Sequence, residues 1–185
     1  MVDGTTGQIR CGCTDSDVII NAARGNGTRL LFLTENTYPI DSTITLGTKD
    51  TLHGEGSGAT VIQKSGNVDP AILMDEKWTE VAHLRVDGTD KLGDGITLSN
   101  NVNGWGIVHD CDVYQNYNGI VINAWNGYVE HCWIRNNNND GIVVDVASGY
   151  WSVIKDTLVK MNGGHGLRQV KTDGTGPTTV KDSLF

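Results

Sequence analysis

The residues best suited to chemistry include two aromatic side chains, Tyr114 and Trp133, which the strand pattern points outward. Their neighbours on the outward side of the second and third strands of the repeats are charged, namely His109, Asp112, Glu130 and Arg135. Aromatic rings pack on the apolar face of a sugar while charged groups hydrogen-bond its hydroxyls, so we predict a carbohydrate-binding surface that also includes Trp125. Pairing of opposite charges between strands would produce the same pattern. An exposed Trp133 would also suit a contact between subunits.

A second group of polar side chains lies where the first strand of each repeat ends, at Asp75, Ser99, Asn123 and Asp145. Asp145 and the nearby Arg168 form the candidate catalytic pair, because stacking of repeats does not explain them. Asp75 and Asp145 are three repeats apart, roughly 14 Å at strand spacing. That separation exceeds the roughly 10 Å limit for the two carboxyl groups of a glycosidase.

One segment offers ligands for a metal ion. Residues 87–95, DGTDKLGDG, supply Asp87, Asp90 and Asp94, whose oxygens suit Ca²⁺. Their spacing differs from that of an EF-hand loop, so a polar turn is the preferred interpretation. No other metal or cofactor site is predicted.

The chain that must position these residues repeats itself about every 22–25 residues, which indicates a solenoid. One turn of the solenoid is called a coil here. Alternate residues of the opening strands should stack inward, in one column of Ile72, Ile96, Ile120, Ile142 and Leu167 and another of Met74, Leu98, Ile122, Val144 and Gln169. In the second half of each coil, an inward column should consist of Val81, Val108, Val129, Ile154 and Val180. A second stack, Asn116, Asn137 and Asn162, should pass amide hydrogen bonds from coil to coil. Cys111 and Cys132 should stack as buried thiols, with a disulfide as the alternative.

The N-terminal part predicts a cover for the first coil. Ser16 to Arg24 is the one good helix candidate, and Gly25-Asn26-Gly27 ends it. The strand TRLLFLTENTYPI follows. Leu30 and Phe32, and then Tyr38 and Ile40, are expected to point inward.

Two segments after the helix, TENTYPI and TLHGEGSGATVIQK, resemble the entry to the parallel β-helices of the pectate-lyase-like superfamily. That group includes phage tailspikes and many secreted polysaccharide-active proteins. The resemblance covers about residues 13–64 and continues as generic coils. It implies an all-β, right-handed parallel β-helix with a short N-terminal capping helix. We expect one domain over residues 1–185, with a cap at 1–28 and stacked coils at 29–185, the last incomplete.

A weaker similarity concerns Asn139-Asp140-Gly141 and Gly164-His165-Gly166, which resemble motifs of polygalacturonase-like hydrolases. No Asp-Asp pair lies between the two motifs and no basic motif follows them. We therefore interpret them as the ordinary beginnings of coils and not as an active site.

The formal net charge is −8 over 185 residues, without a cluster of Lys and Arg, so we expect neither nucleic acid nor an anionic membrane as partner. No apolar run is long enough for a membrane span, and MVDGTTGQIR lacks the pattern of a signal peptide. We expect an extracellular, cell-surface or virion protein that contacts polysaccharide, as a binding protein or scaffold rather than an enzyme. The alternatives are a polysaccharide lyase or glycoside hydrolase, and a structural solenoid. A homo-oligomer is compatible with all three, a trimer if the chain is tailspike-like.

Overall fold

The computed structural model describes residues 8–9, 16–25, 30–89, 92–99, 105–145, 151–170 and 177–185. The first half contains β1 (Gln8–Ile9), α1 (Ser16–Gly25), β2 (Leu30–Leu33), β3 (Asn36–Ile40), β4 (Ile44–Leu46), β5 (Thr51–Gly54), β6 (Thr60–Lys64), β7 (Ile72–Met74), β8 (Thr79–Ala82), β9 (Arg85–Asp87) and β10 (Ile96–Leu98). The second half contains β11 (Trp105–His109), β12 (Asp112–Tyr114), β13 (Ile120–Ile122), β14 (Asn126–Glu130), β15 (Trp133–Arg135), β16 (Ile142–Val144), β17 (Trp151–Lys155), β18 (Leu158–Lys160), β19 (Leu167–Gln169) and β20 (Thr178–Lys181). No helix in these ranges is long and apolar enough to cross a membrane.

Over the described ranges the strands form three parallel sheets. Sheet A has the order β1-β2-β5-β8-β11-β14-β17-β20, sheet B the order β3-β6-β9-β12-β15-β18, and sheet C the order β4-β7-β10-β13-β16-β19. From β2 onward, consecutive strands therefore belong to different sheets, and each coil adds one strand to each sheet. The predicted fold is confirmed, because the structure is a right-handed parallel β-helix of about six coils whose described part has one short helix.

The interior of the coils is filled by the aliphatic columns that the sequence predicts. In sheet C, Ile96 is in register with Ile72 on one side and Ile120 on the other. In sheet A, Val108 lies between Val81 and Val129. All six side chains are fully buried, and each contributes about 1.5–3 kcal/mol when removed from water. Ligands must therefore bind at the outer surface.

The predicted inward direction is wrong for β2 in sheet A. Leu31 and Leu33 are buried, whereas Leu30 is exposed and Phe32 is half-buried. Every residue of the segment LLFL is apolar, so the pattern does not select a face, and a shift of one residue exchanges the two faces. The expectation is confirmed for Tyr38 and Ile40, which are buried in β3.

The last described coil is more open than the pattern suggests. Gln169 and Val180 occupy the predicted inward columns, in register with Val144 and Ile154. Both are nevertheless exposed, because no described coil packs on their far side.

Two polar stacks are confirmed inside the coils. The Nδ2 of Asn137 donates to Oδ1 of Asn162 over 2.9 Å, and Nδ2 of Asn116 donates to Oδ1 of Asn137 over 3.5 Å. Cys111 and Cys132 are buried free thiols rather than a disulfide. Burial, with a hydrogen bond involving the Cys111 thiol, raises the pKa of Cys132 well above its ordinary value, so this thiol is not an activated nucleophile.

Helix α1 contacts β2, β3 and β4, the strands of the first complete coil. Ile20 and Ala23 form its buried face. The side chain of Asn21 joins the helix to β4, because it donates to the Thr43 carbonyl and accepts from the Thr45 amide, both over 3.0 Å. The helix therefore covers apolar surface of the first coil, as predicted.

Candidate functional site

A surface groove lies at the corner where the chain passes from sheet A to sheet B. We call it the corner groove. Its volume is about 350 Å³, and it is lined by Gly56, Ser57, His83, Asp110, Cys111, His131 and Trp133. Two of the glycine-rich loop residues between β5 and β6 form one wall, and Trp133 at the start of β15 forms another part. The groove thus combines an aromatic ring with titratable side chains.

The titratable side chains form a column with one turn residue per coil, which we call the corner column. Its members His83, Asp110, His131 and Asp156 have left-handed φ angles of 54°, 53°, 50° and 47°. Asp and His are enriched in this conformation. His83 Nε2 lies 3.8 Å from Asp110 Oδ2, and His131 Nε2 lies 3.4 Å from Asp156 Oδ2. Bases and acids therefore alternate along the corner.

Sequence reasoning missed the corner column, although a signal for it was present. Each member directly precedes a residue of the stack that contains Cys111 and Cys132. Considered one at a time, the histidines have no convincing ligand spacing. Only the coil alignment brings them to the same corner.

His109, a predicted binding residue, lies beside the corner column at the end of β11. Its Nδ1 is 2.7 Å from Asp110 Oδ2, and its Nε2 is 3.2 Å from Glu80 Oε1. Burial alone would lower the pKa of His109, but the two carboxylates outweigh it and raise the pKa. The neighbouring His53 has a lowered pKa because of burial and of nearby His83.

Four other predicted binding residues lie on sheet B. Trp133 is 54% exposed, and the Lys160 ammonium lies 5.5 Å from its ring centroid. The Arg135 guanidinium stacks on the Tyr114 ring at 4.6 Å. Asp112 is 3% exposed and therefore does not present an outward carboxylate, as had been predicted.

Asp112 is buried because two guanidinium groups cover it. Arg135 donates to both of its oxygens over 3.1 and 2.9 Å, and Arg85 donates over 2.9 Å. The hydrogen bond to Asp112 raises the pKa of Arg135. This cluster stabilises neighbouring strands. Of the four predicted binding residues on sheet B, Trp133 is therefore the most exposed.

The remaining two predicted binding residues, Glu130 and Trp125, lie far apart, at opposite ends of β14. Glu130 is half-buried at the end of β14, in register between His109 and Lys155. Trp125 precedes the same strand at its other end, about 16 Å away at strand rise.

Trp125 belongs instead to a band of aromatic side chains along the beginnings of sheet A strands. We call it the aromatic row, and it consists of Trp78, Trp105, Trp125, Tyr128 and Trp151. The Trp105 ring stacks on those of Trp78 and Tyr128, at centroid distances of 6.2 and 5.1 Å. Trp105 and Trp151 are both in register with Asn126, and Trp78 directly precedes Thr79, the partner of Gly106. The coil alignment therefore contained a signal for the row that sequence reasoning missed, although Trp125 lies one residue before that register.

A second groove, the opening groove, lies where the chain passes from sheet B to sheet C. Its volume is about 370 Å³, and it is lined by Tyr117, Asn118, Asn139, Asp140, Gly164, His165 and Arg168. Asp140 Oδ1 accepts from the His165 amide at 2.8 Å and lies 3.1 Å from its Nδ1. Asp140 Oδ2 accepts from Arg168 Nε over 2.5 Å. Burial alone would raise the pKa of Asp140, but these hydrogen bonds lower it.

The candidate catalytic pair is therefore divided between two places. Arg168 is in register with Val143 and contacts Asp140, whereas Asp145 is exposed after the end of β16. The motifs around Asp140 and His165, which we interpreted as coil beginnings, do begin coils. Because they lie in consecutive coils, the fold also places their side chains in contact.

The calcium expectation rests partly on Asp90, which lies outside the described residues. Asp87 accepts from the Thr89 amide over 2.8 Å, and Asp94 accepts from Asn118 Nδ2 over the same distance. Calcium binding by this segment stays a prediction.

Comparisons with known proteins agree with the topology. No protein-family model and no curated protein matches the chain. The Agl-KA catalytic domain is 18% identical with a TM-score of 0.69 over 95% of this chain and 35% of its own. ORF18 of Geobacillus virus E2 is 18% identical, with a TM-score of 0.70. The match covers 93% of this chain and 39% of the viral protein.

A third structure is the A-module of the mannuronan C-5 epimerase AlgE6 from Azotobacter vinelandii. It is 18% identical, with a TM-score of 0.63 over 91% of this chain and 59% of its own. The chain thus spans only 35% to 59% of the length of these three structures. What the chain shares with them is the fold, a parallel β-helix.

Proposed function

We propose that this β-helix binds a surface polysaccharide in the corner groove and works outside the cell or on a virion. The observation that carries the proposal is Trp133, which is 54% exposed on a rigid strand and lines a groove with His83, Asp110 and His131. The ring offers an apolar face, and the neighbouring side chains offer donors and acceptors for hydroxyls. A groove of about 350 Å³ is within the range of ligand sites.

The fold comparisons support the same class of ligand. One neighbour is, by its name, an epimerase of mannuronan, which is a polysaccharide, and another is a viral protein. A long, straight surface such as the outside of a β-helix suits an extended chain of sugars.

A glycan array tests the proposal with the wild type, Trp133→Ala and Trp151→Ala. Trp151 is the matched control, because it is also an exposed tryptophan on a strand but does not line the groove. We expect Trp133→Ala to weaken binding at least tenfold, about 1.4 kcal/mol, and Trp151→Ala to bind like the wild type. Equal binding by all three proteins would contradict the corner groove as the site.

The opening groove favours a second function, cleavage of a polysaccharide. His165 is exposed, and Asp140 holds it in the way that a buried carboxylate orients a general base. Arg168 supplies a cation beside it. Assays for new reducing ends and for unsaturated products test this function. Product that disappears in His165→Gln but persists in His131→Gln would establish catalysis at this groove.

The aromatic row favours a third function, a contact between copies of this chain. Trp78, Trp105 and Trp151 are 52%, 45% and 62% exposed. Sedimentation of the wild type and Trp105→Ala separates this function from the others. A homo-oligomer that dissociates in the variant would support it, and a monomeric wild type would exclude it.

A further inference from the structure

Three side chains beside the corner groove offer nitrogen and oxygen donors to a common point. They are His83, His109 and Asp110, and one donor atom from each lies within 4.8 Å of the other two. Asp110 Oδ2 is 2.7 Å from His109 Nδ1 and 3.8 Å from His83 Nε2. The two imidazole rings are nearly perpendicular, with centroids 5.3 Å apart and an interplanar angle of 83°.

These distances match the geometry of a transition-metal site. Zinc binds imidazole nitrogen and carboxylate oxygen at about 2.0–2.2 Å, so neighbouring donors of a tetrahedral site are about 3.3 Å apart. The two Asp110 distances, 2.7 and 3.8 Å, lie on either side of that value. Shifts of about half an ångström in the ends of these half-buried side chains bring both distances to that value.

A second observation concerns the opposite edge of the His109 ring. Its Nε2 lies 3.2 Å from Glu80 Oε1, while Nδ1 faces Asp110. A histidine that ligates a metal usually donates its other N–H to a carboxylate, which fixes the tautomer and the ring orientation. Glu80 occupies the place of that outer carboxylate.

We propose that this corner binds a divalent transition-metal ion of the zinc type through His83 Nε2, His109 Nδ1 and the Asp110 carboxylate. Two imidazoles and one carboxylate suit Zn²⁺, Co²⁺ or Ni²⁺ rather than Ca²⁺, which prefers six or more oxygens. The site is separate from the calcium expectation for residues 87–95. It does not depend on polysaccharide binding, because metal binding is measured without a glycan.

The solenoid contains its own matched control two coils further on. There the equivalent positions hold His131, Lys155 and Asp156, so a lysine ammonium takes the place of His109. Lys155 Nζ lies 3.3 Å from Asp156 Oδ2. A cation at this position replaces a ligand, so this corner should not bind the metal.

The experiment titrates the full-length, chelator-treated chain with Co²⁺, followed by visible absorption, and with Zn²⁺, followed by calorimetry. We expect one ion per chain, and we expect the bound Co²⁺ to show a visible absorption spectrum typical of a low coordination number. His109→Gln and Asp110→Asn should each weaken binding at least tenfold, and His131→Gln should leave it unchanged. Far-UV circular dichroism confirms that each variant keeps its strands.

Three results would overturn the proposal. They are absence of stoichiometric binding, an equal loss in His131→Gln and His109→Gln, and loss of binding in a Cys11→Ser/Cys13→Ser variant. The last result would assign the metal to the N-terminal thiols, which lie outside the described residues. Retention of wild-type affinity in that variant supports the histidine site.

Discussion

The residues that turn the corner from sheet A to sheet B carry much of the polar chemistry of the surface. His83, Asp110 and His131 occupy left-handed positions, where a β-branched or bulky side chain would be strained. The backbone therefore restricts these places to a few residue types. Several of those types are also acids, bases and metal ligands, so a structural requirement of the corner supplies reactive groups in a column.

Lys64 shows the opposite situation, a charged residue in the interior. It is 1% exposed at the end of β6, and its Nζ donates to the carbonyls of Gly93 and Asp94 over 2.9 and 2.8 Å. Burial lowers its pKa to about 8, and nearby Asp69 and Asp94 oppose part of that effect. The hydrogen bonds to carbonyls keep the group satisfied at neutral pH.

The lowered pKa of Lys64 predicts a pH dependence of stability. Between pH 8 and the ordinary value of 10.5 the unfolded chain holds this proton more tightly than the folded chain does. Stability therefore rises with pH in this window, by about 2 kcal/mol between pH 8 and pH 10.

The measurement for Lys64 is the free energy of unfolding in urea at both pH values, for the wild type and Lys64→Met. The difference between the two proteins cancels the titration of other groups. The wild type should gain relative to the variant as pH rises. A difference that does not change with pH would contradict a lowered pKa.

At the scale of elements, the coils are held in register by aliphatic columns on the strands and by the asparagine stack at one corner. Asn137 is 2% exposed, and its side chain accepts from the Asn116 amide over 3.0 Å and donates to Asn162 over 2.9 Å. One side chain thus satisfies groups of the coils on both sides.

Asn137→Ala should destabilise the fold by about 1–3 kcal/mol, because it removes the acceptor of the buried Asn116 amide and the Nδ2 donor to Oδ1 of Asn162. Asn138→Ala is the control on an adjacent, exposed residue, and we expect a change within about 0.5 kcal/mol. Thermal or urea unfolding measures both. Similar losses in the two variants would show that the stack does not stabilise the coils.

The periodic elements could be predicted from the sequence because stacking imposes the same residue types at the same place in every coil. The columns around Ile96 and Val108, the asparagine stack and the buried thiols are found where the repeat predicted them. The direction of β2 could not be predicted, since LLFL contains no polar residue that marks its outer face.

At the scale of the whole molecule, a filled interior leaves the corners as the places where side chains can converge. Both grooves lie at corners, and both join residues from consecutive coils. Trp133 was predicted as a binding residue and does line a groove. The contacts of Asp140 with His165 and Arg168 were not foreseen, because a motif comparison along the chain does not register neighbours that are one coil apart.

The central claim is that a polysaccharide lies in the corner groove against Trp133. A crystal structure of the chain with an oligosaccharide selected by the glycan array tests it most directly. We predict a sugar ring stacked on the Trp133 indole, with hydroxyls in hydrogen-bond contact with members of the corner column. An oligosaccharide bound instead along the aromatic row or in the opening groove, with Trp133 uncovered, would contradict the claim.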